Sequence, residues 1–161
     1  MSEQIDTSKM TGEQYLNEYA DRLNKHDGAA AMLGMGPDEL LAVEVMAHQL
    51  YLQGKYEEAA QMLNGVVTME SKRYYPFLLL GDIAQKTGEE VQALQCFAAA
   101  DALQPNNPNV LTKLGEAFLR TGQVGRAVEA LSRVLAMNLP DEDENRRRAL
   151  VLSKIAARGA V

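Results

Sequence analysis

Ala59, Leu63 and Val66 are spaced by four and then three residues, and the same spacing recurs at Ala93, Phe97 and Ala100 and again at Ala127, Leu131 and Val134. Such intervals place side chains on one face of an α-helix, whereas a half-buried strand would alternate apolar and polar positions. Two further helical patterns flank these three. Tyr15, Leu16, Tyr19, Ala20 and Leu23 line one side of an amphipathic segment that Thr11 and Gln14 could open as a capping box and that ends near Asp27-Gly28. Ala149, Leu150, Leu152, Ile155 and Ala156 form the other, within a helix predicted over 146–158.

The central pattern repeats every 34 residues. Gly54, Gly88 and Gly122 each precede the recurring Ala by five positions, and a small residue (Ala47, Gly81, Gly115) stands seven positions before each Gly. Small side chains on both helices of a pair permit close crossing. The glycines suit a left-handed turn that closes the last carbonyls of a first helix. Period and positions together match the tetratricopeptide repeat. The sequence therefore predicts an all-α protein: three tandem tetratricopeptide helix hairpins (an α-solenoid) with an N-terminal helical extension and a C-terminal capping helix. The repeats are read as 40–73, 74–107 and 108–141 within a segment 37–141. Residues 1–10 are read as a disordered N-terminus, 11–36 as the extension and 142–161 as the capping helix and tail.

Composition narrows the function. The chain has 161 residues, 47% of them hydrophobic, and a net charge of −6, which argues against counterion-releasing nucleic-acid binding and against insertion into a membrane. Arg146 to Arg148 follow the acidic run 141–144 and read as part of a solvated helix. One cysteine and an N-terminus without a basic-then-apolar run predict a cytoplasmic protein. His26 and His48 have no Cys or acidic partner at metal-ligand spacing, so no metal is expected. Cys96 sits among apolar neighbours without a nearby His, and no glycine-rich phosphate loop is present. The reading is a non-enzyme without a cofactor.

A partner polypeptide is the expected ligand. In such arrays the first helix of each pair lines the concave face. The corresponding positions are Leu41, Glu44, His48, Tyr51 and Leu52 in the first copy, and Tyr75, Leu78, Asp82, Gln85 and Lys86 in the second. The third copy supplies Asn109, Thr112, Glu116, Leu119 and Arg120. An extended peptide with spaced apolar anchors suits this mixed set. Glu44 and His48 stand where arrays that clamp acidic chaperone C-termini place a basic residue and Asn, so that partner class is not expected.

Three stretches carry a closer resemblance: residues 28–33 (Gly-Ala-Ala-Ala-Met-Leu), 51–59 (Tyr-Leu-Gln-Gly-Lys-Tyr-Glu-Glu-Ala) and 73–81 (Arg-Tyr-Tyr-Pro-Phe-Leu-Leu-Leu-Gly). In these the chain resembles the class II chaperones of bacterial type III secretion, which hold translocator proteins soluble before export. The resemblance implies a groove that captures an extended client segment, with Tyr51 as a groove tyrosine, and a homodimer formed through N-terminal helices. Tyr15, Leu16, Tyr19 and Leu23 are the candidate dimerisation stripe, with packing back on the first repeat as its competitor. A general scaffold or adaptor in a bacterial multiprotein assembly is the alternative.

Overall fold

A computed structural model of the protein describes residues 33–159. Among the described residues seven helices follow one another: α1 (Pro37–Leu52), α2 (Tyr56–Met69), α3 (Tyr74–Thr87), α4 (Glu90–Leu103), α5 (Pro108–Arg120), α6 (Val124–Leu135) and α7 (Glu144–Gly159). No strand occurs among the described residues. The expected disordered N-terminus and the stripe at Tyr15, Leu16, Tyr19 and Leu23 lie outside them. The chain divides into two compact units, 1–76 and 77–161, with the boundary inside α3.

The three hairpin turns share one mechanism. Gly54, Gly88 and Gly122 have φ of 76°, 83° and 75°. The residue after each glycine donates its N–H back five positions: Lys55 to the Leu50 carbonyl (2.9 Å), Glu89 to Ala84 (2.8 Å) and Gln123 to Phe118 (2.7 Å). This left-handed closure satisfies carbonyls that the helix end leaves unpaired. Entry to the helices is also defined locally. Glu39 Oε2 accepts the Gly36 N–H at 2.8 Å, and Asn107 Oδ1 accepts the N–H groups of Asn109 (3.0 Å) and Val110 (3.3 Å). Pro37 and Pro108 each open a helix, where no backbone donor is lost.

In the first unit, Ala47, Ala59 and Leu63 are completely buried, and Leu40 packs on Val66 with Met35, Val43 and Met69 around them. The second unit uses the same recipe twice. A methyl group added to Gly81 would meet the Phe97 ring at 2.4 Å, and one added to Gly115 would meet Leu131 at 2.7 Å. Here glycine is required by close approach rather than by backbone conformation. Leu111, Leu131, Val134 and Ala149 form a core that includes α7, with Leu135, Met137, Leu139 and Leu152 packed against it.

The capping helix is two residues longer at its start than expected and buries a narrower face. Ala149 and Ala156 are inside, but Leu150 (43% exposed) and Ile155 (53%) are not. On a helical wheel these two lie well away from the Ala149–Leu152–Ala156 face, so helical spacing alone overstated the covered stripe.

Candidate peptide-binding site

α1 presents an apolar outer stripe. Leu41, Val45 and Leu52 are 51%, 53% and 63% exposed, at intervals of four and seven residues, so they project from one side of the helix. The segment 72–75, which leads into α3, faces part of this stripe. Between them lies a cavity of about 640 Å³ lined by Leu41, Glu44, Val45, His48, Gln49, Lys72, Arg73, Tyr74 and Tyr75. Its volume falls within the range of ligand pockets, and its walls combine aliphatic and aromatic surfaces with a few polar groups.

Two polar contacts fix the walls. Arg73 grips Glu44 in a bidentate pair, Nε donating to Oε1 at 2.5 Å and Nη2 to Oε2 at 3.0 Å. The Glu44 side chain is 3% exposed and that of Arg73 25%, so the carboxylate has left water and depends on this partner. Hydrogen bonding to Glu44 raises the Arg73 pKa above its ordinary value against the opposing effect of burial, which keeps the guanidinium charged at any working pH. The second contact joins the Tyr75 hydroxyl to His48 Nδ1 at 2.6 Å. The His48 ring lies 6.1 Å from Tyr51 and 6.3 Å from Tyr75, and Tyr51 lies 5.7 Å from Tyr56. Aromatic groups at these separations support one another and give the cavity a stiff wall.

Of the first-copy residues expected from sequence, the cavity brings together Leu41, Glu44 and His48, joined by Tyr75 from the second copy. Tyr51 supports the wall from behind, and Leu52 continues the stripe beyond it. Glu44 is a strut rather than a free ligand group. Val45, Gln49, Lys72, Arg73 and Tyr74 were not anticipated. The signal for Val45 was present, because it stands one helical turn from Leu41.

The second unit treats the corresponding positions differently. Leu78 (4% exposed) and Thr112 (1%) belong to the core, and the Thr112 hydroxyl donates to the Pro108 carbonyl at 2.7 Å. Asp82 accepts from Lys113 Nζ at 2.6 Å. Glu116 accepts from Arg148 at 2.5 Å and lies 3.9 Å from Arg120, which itself grips Glu90. Gln85 is half-buried with its Nε2 unpaired, and Leu119 is half-buried. A smaller polar cavity of about 200 Å³ is lined by Asn109, Thr112, Lys113, Glu144, Asn145 and Arg148. Leu78 therefore offers no open surface, contrary to its sequence-based placement in the groove, and Thr112 is buried at the edge of the small polar cavity.

No His, Cys, Asp and Glu cluster among the described residues could hold a metal ion, and no described helix is long and apolar enough to cross a membrane. Desolvation pushes the Cys96 thiol pKa upward, which suits a packing role and opposes nucleophilic use.

With this geometry in place, the fold defines the class: tetratricopeptide-type helix hairpins. No protein-family model matches the chain. Among solved structures it is similar to a type III secretion complex from Aeromonas hydrophila, with a TM-score of 0.78, 18% identity, and coverage of 89% of this chain and 97% of that one. It is also similar to the type III secretion chaperone SycD of Yersinia enterocolitica in complex with a peptide of the translocator YopD. That match has a TM-score of 0.71 and 20% identity, over 78% of this chain and 98% of that one. Among curated proteins it is similar to cellulose synthase operon protein C of Pseudomonas fluorescens strain SBW25, 26% identical over 122 residues. The match takes in 76% of this chain, which spans only 10% of that protein's length. At these identities the structural likeness is one of fold.

Proposed function

We propose that the chain is a cytoplasmic chaperone that holds a translocator-like secretion client through an extended segment, with an apolar client side chain seated in the first-unit cavity. The observation that carries this reading is the open cavity beside an uncovered stripe of Leu41, Val45 and Leu52, a surface that water penalises until a partner covers it. The fold shared with SycD, which was solved with a translocator peptide, supports the choice of client. Such a chaperone acts by binding alone and requires no catalytic group.

The likeness to cellulose synthase operon protein C supports a second reading, a tetratricopeptide adaptor within a multiprotein assembly. Affinity capture from the native host, with wild type beside a Leu41→Asp/Val45→Asp variant, separates the two. Both positions are exposed, so the variant keeps its fold. A secreted protein with long apolar segments retained only by the wild type supports the chaperone. Soluble assembly components would favour the adaptor, and identical captures by both proteins would remove the cavity from either account.

A further inference from the structure

Along one side, α7 departs from what helix stability favours. Its charge is unlike that of the remaining chain: Arg146, Arg147, Arg148, Lys154 and Arg158 stand against Glu144 alone, a surplus of four positive charges in a molecule of net −6. Cations near a helix start oppose the positive end of its dipole. Arg146 and Arg148 are compensated, by Asp141 at 3.1 Å and Glu116 at 2.5 Å. Arg147 is not, since it donates only to the Asp141 backbone carbonyl at 3.3 Å. One and two turns further on, Val151 is 57% exposed and Ile155 53%. Both are β-branched, which a helix tolerates less well than Leu or Ala, and neither recovers that cost by burial. Side chains placed against local stability without an internal return mark a surface with another use.

Arg147, Val151, Lys154 and Arg158 follow one another at intervals of four, three and four residues and so form a single row about 16 Å long. All four are exposed, and Lys154 and Arg158 have no carboxylate partner among the described residues. Leu150 flanks the row on one side and Ile155 on the other. Cations thus occupy the middle of the face and aliphatic groups its margins, whereas a helix that lies in a lipid interface presents an unbroken apolar face. Three cations over this length displace few counterions from a nucleic acid, and the excess of negative charge on the remaining chain would oppose its approach. A polypeptide that carries acids beside an apolar residue matches both the charges and the aliphatic margin.

We propose that this row docks an acidic amphipathic helix of another protein, with carboxylates paired to Arg147, Lys154 and Arg158 and an aliphatic side chain seated on Val151 and Ile155. A second helix repeats its side chains at the same one-turn intervals, so a row of acids on it can match the row on α7 along its whole length. One face of about three turns buries less than the about 800 Å² per partner of a standard interface. The contact is therefore transient and sensitive to salt. Neither the cavity nor α1 takes part in it.

Fluorescence anisotropy on the full chain tests this, with a labelled designed helix that carries Glu and Leu at the matching intervals. The Kd should weaken at least about tenfold between about 50 mM and about 500 mM salt, and at least about tenfold when Gln replaces the Glu residues of the peptide. Arg147→Glu/Lys154→Glu should lose the Glu peptide and bind a Lys-bearing counterpart instead. Its Tm should stay level or rise, because an acid near the helix start suits the dipole. Val151→Ser/Ile155→Ser should weaken binding at least about fivefold at the higher salt, where charge is screened. Absence of binding, binding indifferent to these variants, or a lower Tm in the charge-reversed variant overturns the proposal. Tighter, variant-sensitive binding to phosphatidylglycerol vesicles or double-stranded DNA would assign the face to those partners and overturn it, as would self-association through α7. Leu41→Asp/Val45→Asp should bind the peptide as wild type does, so the docking row and the client cavity are judged separately.

Discussion

The two units use one packing recipe to opposite ends. In both, small residues let paired helices cross, and a left-handed glycine closes each hairpin. Yet at positions related by the 34-residue period, Val45 is 53% exposed, Leu79 is 2% exposed and Lys113 is held by Asp82. At these positions the first unit leaves an apolar side chain uncovered beside a cavity, while the second buries one and replaces the other with an ion pair. Repetition of backbone geometry thus fixes the scaffold, while the side chains at equivalent positions differ in exposure and pairing.

The largest contrast should come from placing one charge at equivalent positions. Leu79→Asp buries an unpaired carboxylate and is expected to cost about 4 kcal/mol or to prevent folding, whereas Val45→Asp should stay within about 0.5 kcal/mol of wild type. Urea denaturation of both variants checks this. Similar losses would erase the distinction between the units.

Next in size is the strut of the first unit. Arg73→Leu strands the Glu44 carboxylate and should cost about 2–3 kcal/mol, a value reduced from that of a fully buried pair because Arg73 is partly exposed. Adding Glu44→Leu should recover most of the loss, since the second copy already uses Leu78 there. A double variant no more stable than Arg73→Leu would show that the pair is not the strut.

Gly81→Ala should lower stability by about 1–3 kcal/mol, because the added methyl meets a ring carbon of Phe97 that cannot bend away. Gly115→Ala should cost a similar amount, since the methyl meets Cγ and Cδ2 of the fully buried Leu131 at 2.7 Å; thermal midpoints of both variants check this, and unchanged midpoints would show that the helices can part without cost.

The smallest effect concerns Cys96. Because burial raises its thiol pKa, the folded protein holds that proton more tightly than the unfolded chain. Stability should therefore decline as pH rises above about 8.5, the ordinary thiol value. Urea midpoints at successive pH values should fall less steeply for Cys96→Ala. Equal slopes would remove the assignment.

Most of the fold was legible in the sequence because its determinants are local and repeated. Ala59, Ala93 and Ala127, with the glycine five positions earlier, encode helix approach and turn closure within single hairpins. The site was only partly legible. Position 44 and its counterparts 78 and 112 were read as open, but all three are buried, and Leu78 and Thr112 already signalled an inward position. What makes Glu44 tolerable there is Arg73, 29 residues away, a pairing that no helical period reveals. The contribution of residues 72–74 was missed for the same reason: the link becomes a wall only once that pair draws it against α1.

The central claim is that a client anchors on the first unit and not through the corresponding positions of the second. Calorimetric titration of the captured client's binding segment into wild type, Val45→Asp and Lys113→Ala tests it most directly. Affinity should weaken at least about thirtyfold in Val45→Asp and change less than about threefold in Lys113→Ala. Undiminished binding to a folded Val45→Asp would contradict it.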